Sequence, residues 1–353
     1  MSPSSEPRTV LVVASGDGTG LNFIRSLALA GGYRVIGLDT SVEDFHASEA
    51  ERRHFLSWRE EGELVERVNS IVAHEGVDLV YAADTGRELL ALARARARLA
   101  APTLLPDPGD HLRMEDKWAT WQALHDAGLP APDTVLVDDA DDLRTLLARH
   151  PRIWLRHRNG SGGAGSVAAG TEALAAAWIA EHDGWGEFTA AECLGSRTAT
   201  FSGLWYDGEL VASQLRERLS WKYPELTASG VTGITGAQRT FWDGELHELA
   251  VRCVRAVCER PHGIAGVDFT YREDGTPLPT EVQPARFYSS IHFLAELGLN
   301  LPDLYCRLAL DPADRPARPL VNPVREYRYW VKSVDKLPRL LTRQEFEDDL
   351  APA

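Results

Sequence analysis

Residues 266–284 read GVDFTYREDGTPLPTEVQP, two strand-forming runs joined at an Asp-Gly step. An Asp-Gly turn between such runs is a strong signal of a β-hairpin. Asp268 and Glu281 are therefore expected close together on the two arms. Gln283 shares the face of Glu281 because side chains alternate along a strand. Carboxylate and amide oxygens are ligands that Mg²⁺ accepts, so the hairpin predicts a magnesium site.

The residues that follow this hairpin bear on whether its polar face is solvated. For an isolated pair of carboxylates, a solvated face is the more common interpretation. Here the strand runs directly into Pro284, Arg286 and the pair Ser289-Ser290, where a helix is expected to begin. A polar face that continues into such residues favours a cleft.

A glycine-rich loop lies upstream at residues 159–166, NGSGGAGS, between an apolar strand and a second short strand. Its amides can surround an oxyanion without side-chain obstruction, and Arg156 and Arg158 supply positive charge just before it, which suits polyphosphate. It is not a Walker loop, because no Gly-Lys-Ser/Thr follows. Beside the carboxylate hairpin the loop predicts a nucleotide site, whereas alone it is equally well a flexible turn.

The first hundred residues alternate strand and helix patterns, which predicts a parallel sheet with function at the carboxyl ends of its strands. A first glycine cluster, residues 16–20, follows the strand at 9–14, and Asp39 ends the next strand, as in a dinucleotide fingerprint. Leu21 stands where that fingerprint has its third glycine. Two interpretations of this loop stay open. It could bind the cofactor of an NAD(P)-dependent oxidoreductase, or it could be a glycine turn whose only role is to connect the first strand to the first helix.

Composition narrows the class of partner. The chain has 353 residues, 44% apolar and 25% charged, which is typical of globular proteins. Its 52 acidic and 37 basic residues give a net charge of -15, which argues against nonspecific electrostatic binding to nucleic acid or to an anionic membrane. No apolar run approaches the roughly 18 residues that span a bilayer, so a cytoplasmic protein with small-molecule partners is expected.

The pattern of elements also divides the chain. Strand and helix alternate up to the proline-rich segment 101–110, and from Glu187 onward longer strands with Asp-Gly turns indicate an antiparallel sheet. The fold class is therefore α/β plus α+β. The expected units are a disordered tail (1–8), a Rossmann-like N-terminal domain (9–105), a central or lid subdomain (106–187), a C-terminal lobe (188–340) and a second tail (341–353).

Taken in order, these pieces resemble the ATP-grasp superfamily, and in particular the ligases related to the large chain of carbamoyl phosphate synthetase. The resemblance covers roughly residues 9–310. It implies an ATP-grasp fold with a Rossmann-like N-terminal domain, a small lid subdomain and a C-terminal antiparallel-sheet lobe. ATP is then expected between the lid and the C-terminal lobe.

The resemblance also implies roles for individual residues. Basic residues of the family that contact phosphate match Lys117 in MEDKWATWQALHDAG and Arg156 before the glycine loop. The family hinge that borders adenine and ribose falls on AAECLG. The nucleotide set is then Lys117, Arg156, Gly162, Gly163, Gly165, Ser166, Glu192 and Leu194. The metal set is Asp268, Glu281 and Gln283, and the catalytic set is Arg286, Glu281 and Arg156.

The sequence departs from the family pattern at two places. The hinge usually has a second Glu after its glycine, whereas this chain continues Gly195-Ser196-Arg197-Thr198. The usual Asn-Pro-Arg after the metal Glu is here Gln283-Pro284-Ala285-Arg286, so the arginine comes one residue late. Recognition of the acid substrate is expected in the C-terminal lobe, with Arg216, Lys222, Tyr288 and Ser289 as candidates.

The activity implied by the resemblance is ATP- and Mg²⁺-dependent ligation of a small carboxylic acid to an amine or thiol, with Mn²⁺ as an alternative metal. Relatives transfer the γ-phosphoryl group to a carboxylate, which gives an acyl phosphate and ADP. Besides the oxidoreductase, a noncatalytic nucleotide-binding protein and a kinase-like or carboxylating member stay open. No nucleic acid or membrane partner is expected, and a homodimer is compatible with this interpretation.

Overall fold

The computed structural model describes residues 6–83, 86–160, 162–163 and 165–331, which form three β-sheets with associated helices. Residues 1–5 and 341–353 of the two expected tails lie outside the described residues, as do residues 332–340 of the expected C-terminal lobe. Arg8 belongs to the first strand rather than to a tail. Within the described part of the chain, no helix has the length and apolar character needed to cross a membrane.

The first sheet is parallel and contains four strands in the order β3-β2-β1-β4. Its strands are β1 (Arg8–Val13), β2 (Tyr33–Asp39), β3 (Arg52–Phe55) and β4 (Leu79–Ala82). Its helices are α1 (Gly18–Ala30), α2 (Val42–Ala47), α3 (Glu61–Glu75) and α4 (Arg87–Arg94). Strand–helix alternation therefore produces the predicted parallel sheet.

Two short helices follow the first sheet. Helix α5 (Pro108–Glu115) begins within the proline-rich segment 101–110 expected as a boundary. It begins there because Asp107 accepts the Gly109 amide, and because the first residue of a helix needs no amide donor, which suits Pro108. Asp116 ends α5 and caps the next helix, α6 (Lys117–Asp126), by accepting the amides of the second and third helical residues. One aspartate thus sets both helix ends.

The second sheet is antiparallel, with the order β5-β8-β6-β7. Its strands are β5 (Thr134–Val137), β6 (Ile153–His157), β7 (Val167–Ala169) and β8 (Phe188–Glu192), and its helices are α7 (Ala140–Leu147) and α8 (Glu172–Glu181). The glycine-rich loop joins β6 to β7. Because β8 pairs with β5 and β6, this sheet extends beyond residue 187.

The third sheet has seven strands, in the order β13-β12-β9-β10-β11-β15 with β14 beside β10. These are β9 (Thr198–Tyr206), β10 (Glu209–Trp221), β11 (Thr235–Thr240), β12 (Gly263–Tyr271), β13 (Pro277–Pro284), β14 (Leu320–Val321) and β15 (Tyr329–Val331). The remaining helices are α9 (Gly244–Val257), α10 (His292–Glu296) and α11 (Leu301–Leu310).

The two faces of this sheet differ because its strands alternate apolar and polar residues. Phe201, Leu215, Val267 and Val282 are fully buried and form one core cluster with the apolar side of α9. The intervening side chains form the opposite, polar face, which carries the predicted metal residues.

Candidate functional site

A single row of polar residues crosses four strands of the third sheet. Arg216 on β10 pairs with Thr200 on β9, Thr200 pairs with Asp268 on β12, and Asp268 pairs with Glu281 on β13. Residues paired in this way point to the same face of a sheet. The hairpin register predicted for Asp268 and Glu281 is therefore present, and strand pairing adds Arg216 and Thr200 to it.

Asp268 is held in place by two neutral donors. The Thr200 hydroxyl donates to its Oδ1 at 2.6 Å, and the Gln283 amide donates to its Oδ2 at 2.8 Å. Because the amide nitrogen of Gln283 is committed to Asp268, its carbonyl oxygen is the atom left to act as a ligand. These contacts orient a carboxylate without neutralising it.

Lys117 connects the second and third sheets. It is the first residue of α6, and its amide donates to the Arg158 carbonyl at 2.8 Å. Its ammonium donates to the Gly160 carbonyl at 2.6 Å and lies 3.7 Å from Glu281 Oε1, with the side chain only 8% exposed. This burial lowers the pKa of Lys117, against the opposing effect of Glu281. Lys117 is thus a buried cation between the glycine loop and the carboxylate hairpin.

Arg158 fixes the start of α6. Its guanidinium contacts both carboxylate oxygens of Asp116, through Nε at 3.2 and 3.1 Å and through Nη2. Since Asp116 also caps α6, Arg158 positions the helix turn that carries Lys117. The second arginine before the glycine loop is therefore tied to protein rather than facing the hairpin.

Arg156 reaches from β6 to the metal hairpin. Its Nη2 donates to the Thr280 carbonyl at 2.7 Å, next to Glu281. Its Nε is shielded from solvent and has no hydrogen-bond partner among the described residues. Loss of solvation lowers the pKa of Arg156, although Glu281 and Asp268 favour its charge. Arg156 therefore brings a donor without a described partner to the two carboxylates.

The glycine-rich loop approaches a second glycine-rich loop. Gly163 has φ +74°, and a Cβ added there would lie 2.3 Å from the carbonyl oxygen of Val231, in the loop between β10 and β11. Gly162 and Gly165 also have positive φ, and the Ser166 hydroxyl donates to the Gly163 carbonyl at 2.6 Å. Ser161 and Ala164 of the predicted loop lie outside the described residues. The two loops together cover one side of the site.

The predicted hinge lies at the end of β8. The Glu192 carboxylate accepts two bonds from Arg272, at 2.8 and 2.6 Å, and the Asp133 amide at 2.9 Å. Burial opposes ionisation, but these donors lower the pKa of Glu192 below its usual value. Leu194 is half-buried, and the following Gly195 donates its amide to the Tyr271 carbonyl. Both carboxylate oxygens of Glu192 thus have protein donors.

The candidate substrate residues separate into two groups. The Arg216 guanidinium lies 4.0 Å above the Tyr288 ring and contacts Gln238 Oε1. Lys222 directly follows β10, and its amide donates to the Ile234 carbonyl. Among the described residues, its ammonium has no hydrogen bond or ion pair with Arg216, Tyr288 or Gln238. Ser289 precedes α10, which begins at His292 rather than at Ser289-Ser290 as predicted. The Ser290 hydroxyl instead contacts Gln238.

Arg286 follows a backbone turn at the end of β13. Ala285 has φ +55°, in the left-handed region that residues with a side chain rarely adopt. Arg286 then points toward the first sheet, where its Nη1 lies 3.5 Å from the Thr19 hydroxyl at the start of α1. Its charge also opposes the rise that burial causes in the pKa of Asp17. The one-residue shift in the sequence thus coincides with a local turn that redirects the arginine.

The first glycine cluster is hydrogen-bonded to the side chain of Asp39. Asp39 accepts the Ser15 hydroxyl at 2.5 Å and the Gly16 amide at 3.0 Å. A Cβ on Gly16 would lie 1.7 Å from the Asp44 carbonyl oxygen, so that glycine allows α2 to approach the loop. Burial raises the pKa of Asp39 to about 6. This geometry favours the glycine turn over the dinucleotide fingerprint, because the acidic residue binds its own loop.

Thr200 is a residue of the site that the sequence did not single out, and it orients Asp268. Arg218, a further basic candidate from the sequence beside Arg216 and Lys222, lies 3.8 Å above the Trp221 ring while donating to Thr235. Loss of solvation lowers the pKa of Arg218, whereas Asp268 and Glu281 favour its charge. The alternation Gln214, Arg216, Arg218 along one strand places three polar side chains on one face.

The oxygen donors fit a hard divalent cation. Asp268, Glu281 and the carbonyl oxygen of Gln283 share one sheet face, and oxygen is the donor that Mg²⁺ prefers. In the described ranges, no cluster of three or more His, Cys, Asp or Glu side chains forms a complete metal cage. Mg²⁺ commonly retains waters and takes phosphate oxygens in addition to one or two carboxylates, so this set suits a metal that arrives with a nucleotide.

Comparisons with known proteins identify solved structures of similar fold. No protein-family model matches the sequence, and no curated protein matches it at a significant level. An L-amino acid ligase from Bacillus licheniformis has 18% sequence identity, covers 87% of this chain and 75% of its own, and has a TM-score of 0.65. The N5-carboxyaminoimidazole synthetase from Staphylococcus aureus, complexed with ADP, has 15% identity, 89% and 79% coverage and a TM-score of 0.67.

A third similar structure is a biotin carboxylase domain. It comes from the Hydrogenobacter thermophilus 2-oxoglutarate carboxylase, in complex with MgADP, ADP and bicarbonate. It has 14% identity, covers 88% of this chain and 71% of its own, and has a TM-score of 0.66. At these identities the likeness concerns the fold. The chain has the ATP-grasp fold, as the sequence predicts.

Proposed function

We propose that this protein is an ATP- and Mg²⁺-dependent ligase that joins a small carboxylic acid to an amine or thiol through an acyl phosphate. The supporting observation is the convergence of Lys117 and Arg156 on Asp268 and Glu281. A cation at the start of α6 and a cation on the second sheet meet two carboxylates from the third sheet, which is a suitable arrangement for a metal-bound polyphosphate. The resemblance to ligases related to the large chain of carbamoyl phosphate synthetase agrees with it.

The nucleotide is proposed to lie between the second and third sheets, and so between the units expected at 106–187 and 188–340. Lys117 and Arg156 would hold phosphate oxygens, with the amides of Gly162, Gly163 and Gly165 around them. The end of β8, with Glu192 and Leu194, would border the base and the ribose. The Glu192 carboxylate is bonded to Arg272, and its amide donates to the Asp133 carbonyl.

In the proposed reaction, an oxygen of the acid attacks the γ-phosphorus as the bond to the ADP oxygen breaks. An amine then attacks the acyl carbon, phosphate departs, and the amine loses a proton. Mg²⁺ held by Asp268, Glu281 and Gln283 would neutralise charge on the phosphates. Arg156 and Arg286 would stabilise the phosphoryl and acyl groups, and the two glycine-rich loops would exclude water from the intermediate.

Relatives of similar fold suggest which acids to test first. The similar structures are named for an amino acid ligase, a carboxyaminoimidazole synthetase and a biotin carboxylase bound to bicarbonate. Amino acids and bicarbonate therefore belong in a first substrate panel. A carboxylating member of the superfamily would respond to bicarbonate, and an amide-forming member to an organic acid.

The test is release of ADP and phosphate from MgATP with a panel of acids, using hydroxylamine as a generic acceptor. The expected result is stoichiometric ADP, phosphate and hydroxamate with at least one acid, and loss of all three in Glu281→Gln. AMP and pyrophosphate as products would contradict phosphoryl transfer to the acid. Tight MgADP binding without turnover on any acid would instead support a noncatalytic nucleotide-binding protein.

A further inference from the structure

Arg216 is the most enclosed cation of the site. It lies on β10 in the polar row, with Thr200 between it and Asp268, and is only 4% exposed. Its Nη1 contacts Gln238 Oε1 and lies 3.4 Å from the Thr235 hydroxyl. Both partners are neutral, so no described carboxylate is hydrogen-bonded to this guanidinium. Burial lowers the pKa of Arg216 to about 10.

Three other arginines near this sheet are paired with acids, whereas Arg218 has only hydroxyl partners among the described residues, in Thr235 and Thr198. Arg197 and Arg239 share the Glu217 carboxylate, and Arg272 binds Glu192. The guanidinium groups of these three arginines are more exposed than that of Arg216, and each of them is paired with a carboxylate. A buried charge without a hydrogen-bonded counter-ion is costly. The nearby cations Arg218 and Arg286 also disfavour the charge of Arg216, whereas Tyr288 and the more distant Asp268 favour it. The pattern indicates that the counter-ion of Arg216 comes from outside the chain.

Two donors without partners mark where that anion would bind. Arg216 Nε and the Tyr288 hydroxyl are both shielded from solvent and have no hydrogen-bond partner among the described residues. Tyr288 is 7% exposed, and its ring lies against the guanidinium. A phenol and a guanidinium Nε side by side can donate two hydrogen bonds to one carboxylate.

This anion position is distinct from the metal position. Strands in a sheet lie about 4.8 Å apart, so the backbone of Arg216 is roughly 10 Å from that of Asp268, two strands away. Arg286 approaches from the other direction, at the end of β13 beside α1. A single carboxylate that reacts near the metal leaves Arg216 without a counter-ion unless the same molecule carries another anionic group.

We propose that the acid substrate has two anionic groups: a carboxylate that is phosphorylated near Asp268 and Glu281, and a second anionic group bound by Arg216 and Tyr288. This inference rests on the proposed ligase function. It assigns a substrate class, dicarboxylic acids and their phosphonate analogues. Arg218 lies on the same strand face, two residues away, and adds positive potential on the metal side.

The test compares acids that differ only in the second anion. Succinate and glutarate are matched with their monoamides, and 3-phosphonopropionate distinguishes a phosphonate from a carboxylate. Formation of hydroxamate and ADP is measured with MgATP, and binding of each acid is measured by calorimetry in the presence of MgADP. A hydrogen bond between charged groups corresponds to roughly 10- to 150-fold in affinity, so the diacids should exceed their monoamides by that factor in kcat/KM.

Substitutions connect this preference to the two residues. Arg216→Gln and Tyr288→Phe should reduce the preference for diacids over their monoamides to within a few-fold. Tyr288→Phe removes a single hydroxyl, which keeps the test valid if Arg216→Gln fails to fold. Arg252→Gln, an exposed arginine on α9, is the matched control and should retain the preference.

The failures of the two proposals are distinguishable. Equal use of diacids and monoamides, or equal loss for both in Tyr288→Phe, would overturn the second anion while the ligase function stands. If diacids do not bind the MgADP complex in the millimolar range, the second anion is also wrong. Absence of MgADP binding together with absence of ADP formation would overturn the ligase function itself.

Discussion

The contribution of Lys117 and Arg156 to nucleotide binding can be tested by replacing each with methionine, which keeps an unbranched apolar side chain and removes the charge. Lys117 uses one ammonium proton on the Gly160 carbonyl, and its 3.7 Å separation from Glu281 is longer than a hydrogen bond. Arg156 uses one Nη2 proton on the Thr280 carbonyl and has an Nε without a described partner. Each side chain therefore has at least one donor left for a phosphate oxygen.

The expected magnitude follows from one charged hydrogen bond each. Such a bond contributes about 1.5–3 kcal/mol, which is roughly a 10- to 150-fold loss of MgADP affinity for either single variant. The two residues both interact with Glu281, so the effects of the substitutions should not add. The double variant should differ from the sum of the singles by more than about 0.5 kcal/mol.

Isothermal titration with MgADP measures the affinities, and thermal unfolding shows that the variants fold. Arg158→Met is the matched control, because it removes a neighbouring arginine that is bonded to Asp116. This control should lower the unfolding temperature through the cap of α6 but change MgADP affinity by only a few-fold. If the control weakens binding as strongly as Arg156→Met, or if both site variants bind normally, the assignment of these cations is wrong.

Four further outcomes are expected. Glu281→Gln should lower turnover at least ~100-fold because a neutral amide cannot supply the charge of a metal ligand, and near-parental turnover in the ADP assay would contradict this site. Gly163→Ala should lower kcat/KM at least ~10-fold because the added Cβ would meet the Val231 carbonyl. Gly230→Ala is the control, since Gly230 has the same φ of +74° and no atom lies within 4 Å of its added Cβ. This control carries only the backbone strain of about 1–2 kcal/mol. Asp39→Asn should gain stability relative to the parent as pH rises. The folded pKa of about 6 exceeds the unfolded 3.8, so stability of the parent that is present below the unfolded value is lost as pH rises through 6. Urea unfolding should show the variant gaining up to about 3 kcal/mol on the parent between pH 4 and 7, and a constant difference would refute it. Arg286→Lys should fail to restore the turnover lost in Arg286→Ala, because an ammonium cannot make a planar two-point contact, and near-parental kinetics of the alanine variant would exclude this arginine.

Much of the fold could be predicted because local signals and tertiary structure agree. The Asp-Gly step at residues 274–275 and the alternation around it gave the correct pairing of Asp268 with Glu281. Alternating strands and helices likewise gave a parallel first sheet, with β2 at the predicted residues 33–39. In both cases the residues that decide the structure are close together in the sequence.

Elements without a local pattern could not be predicted. Strand β11 begins within the glycine-broken segment ASGVTGITG and is held by its pairing with β10 and β15. Helix α5 begins among prolines, which interrupt the chain but also start helices when an N-cap precedes them. The polar row from Arg216 to Glu281 depends on three strand pairings at once, so sequence alternation could place these residues on faces but not side by side.

The arrangement of charge links nucleotide binding to acid binding. Lys117 comes from the start of α6 and Arg156 from the second sheet. Arg216 and Arg218 come from a strand of the third sheet, and Arg286 from the turn after β13. Neighbouring cations lower one another's pKa, as Arg156 does for Lys117 and as Arg218 does for Arg216. Separate backbone elements hold these cations in place. An anion bound at one of them reduces the repulsion on the others. MgATP at Lys117 and Arg156 and a diacid at Arg216, as proposed above, should therefore each bind more tightly in the presence of the other.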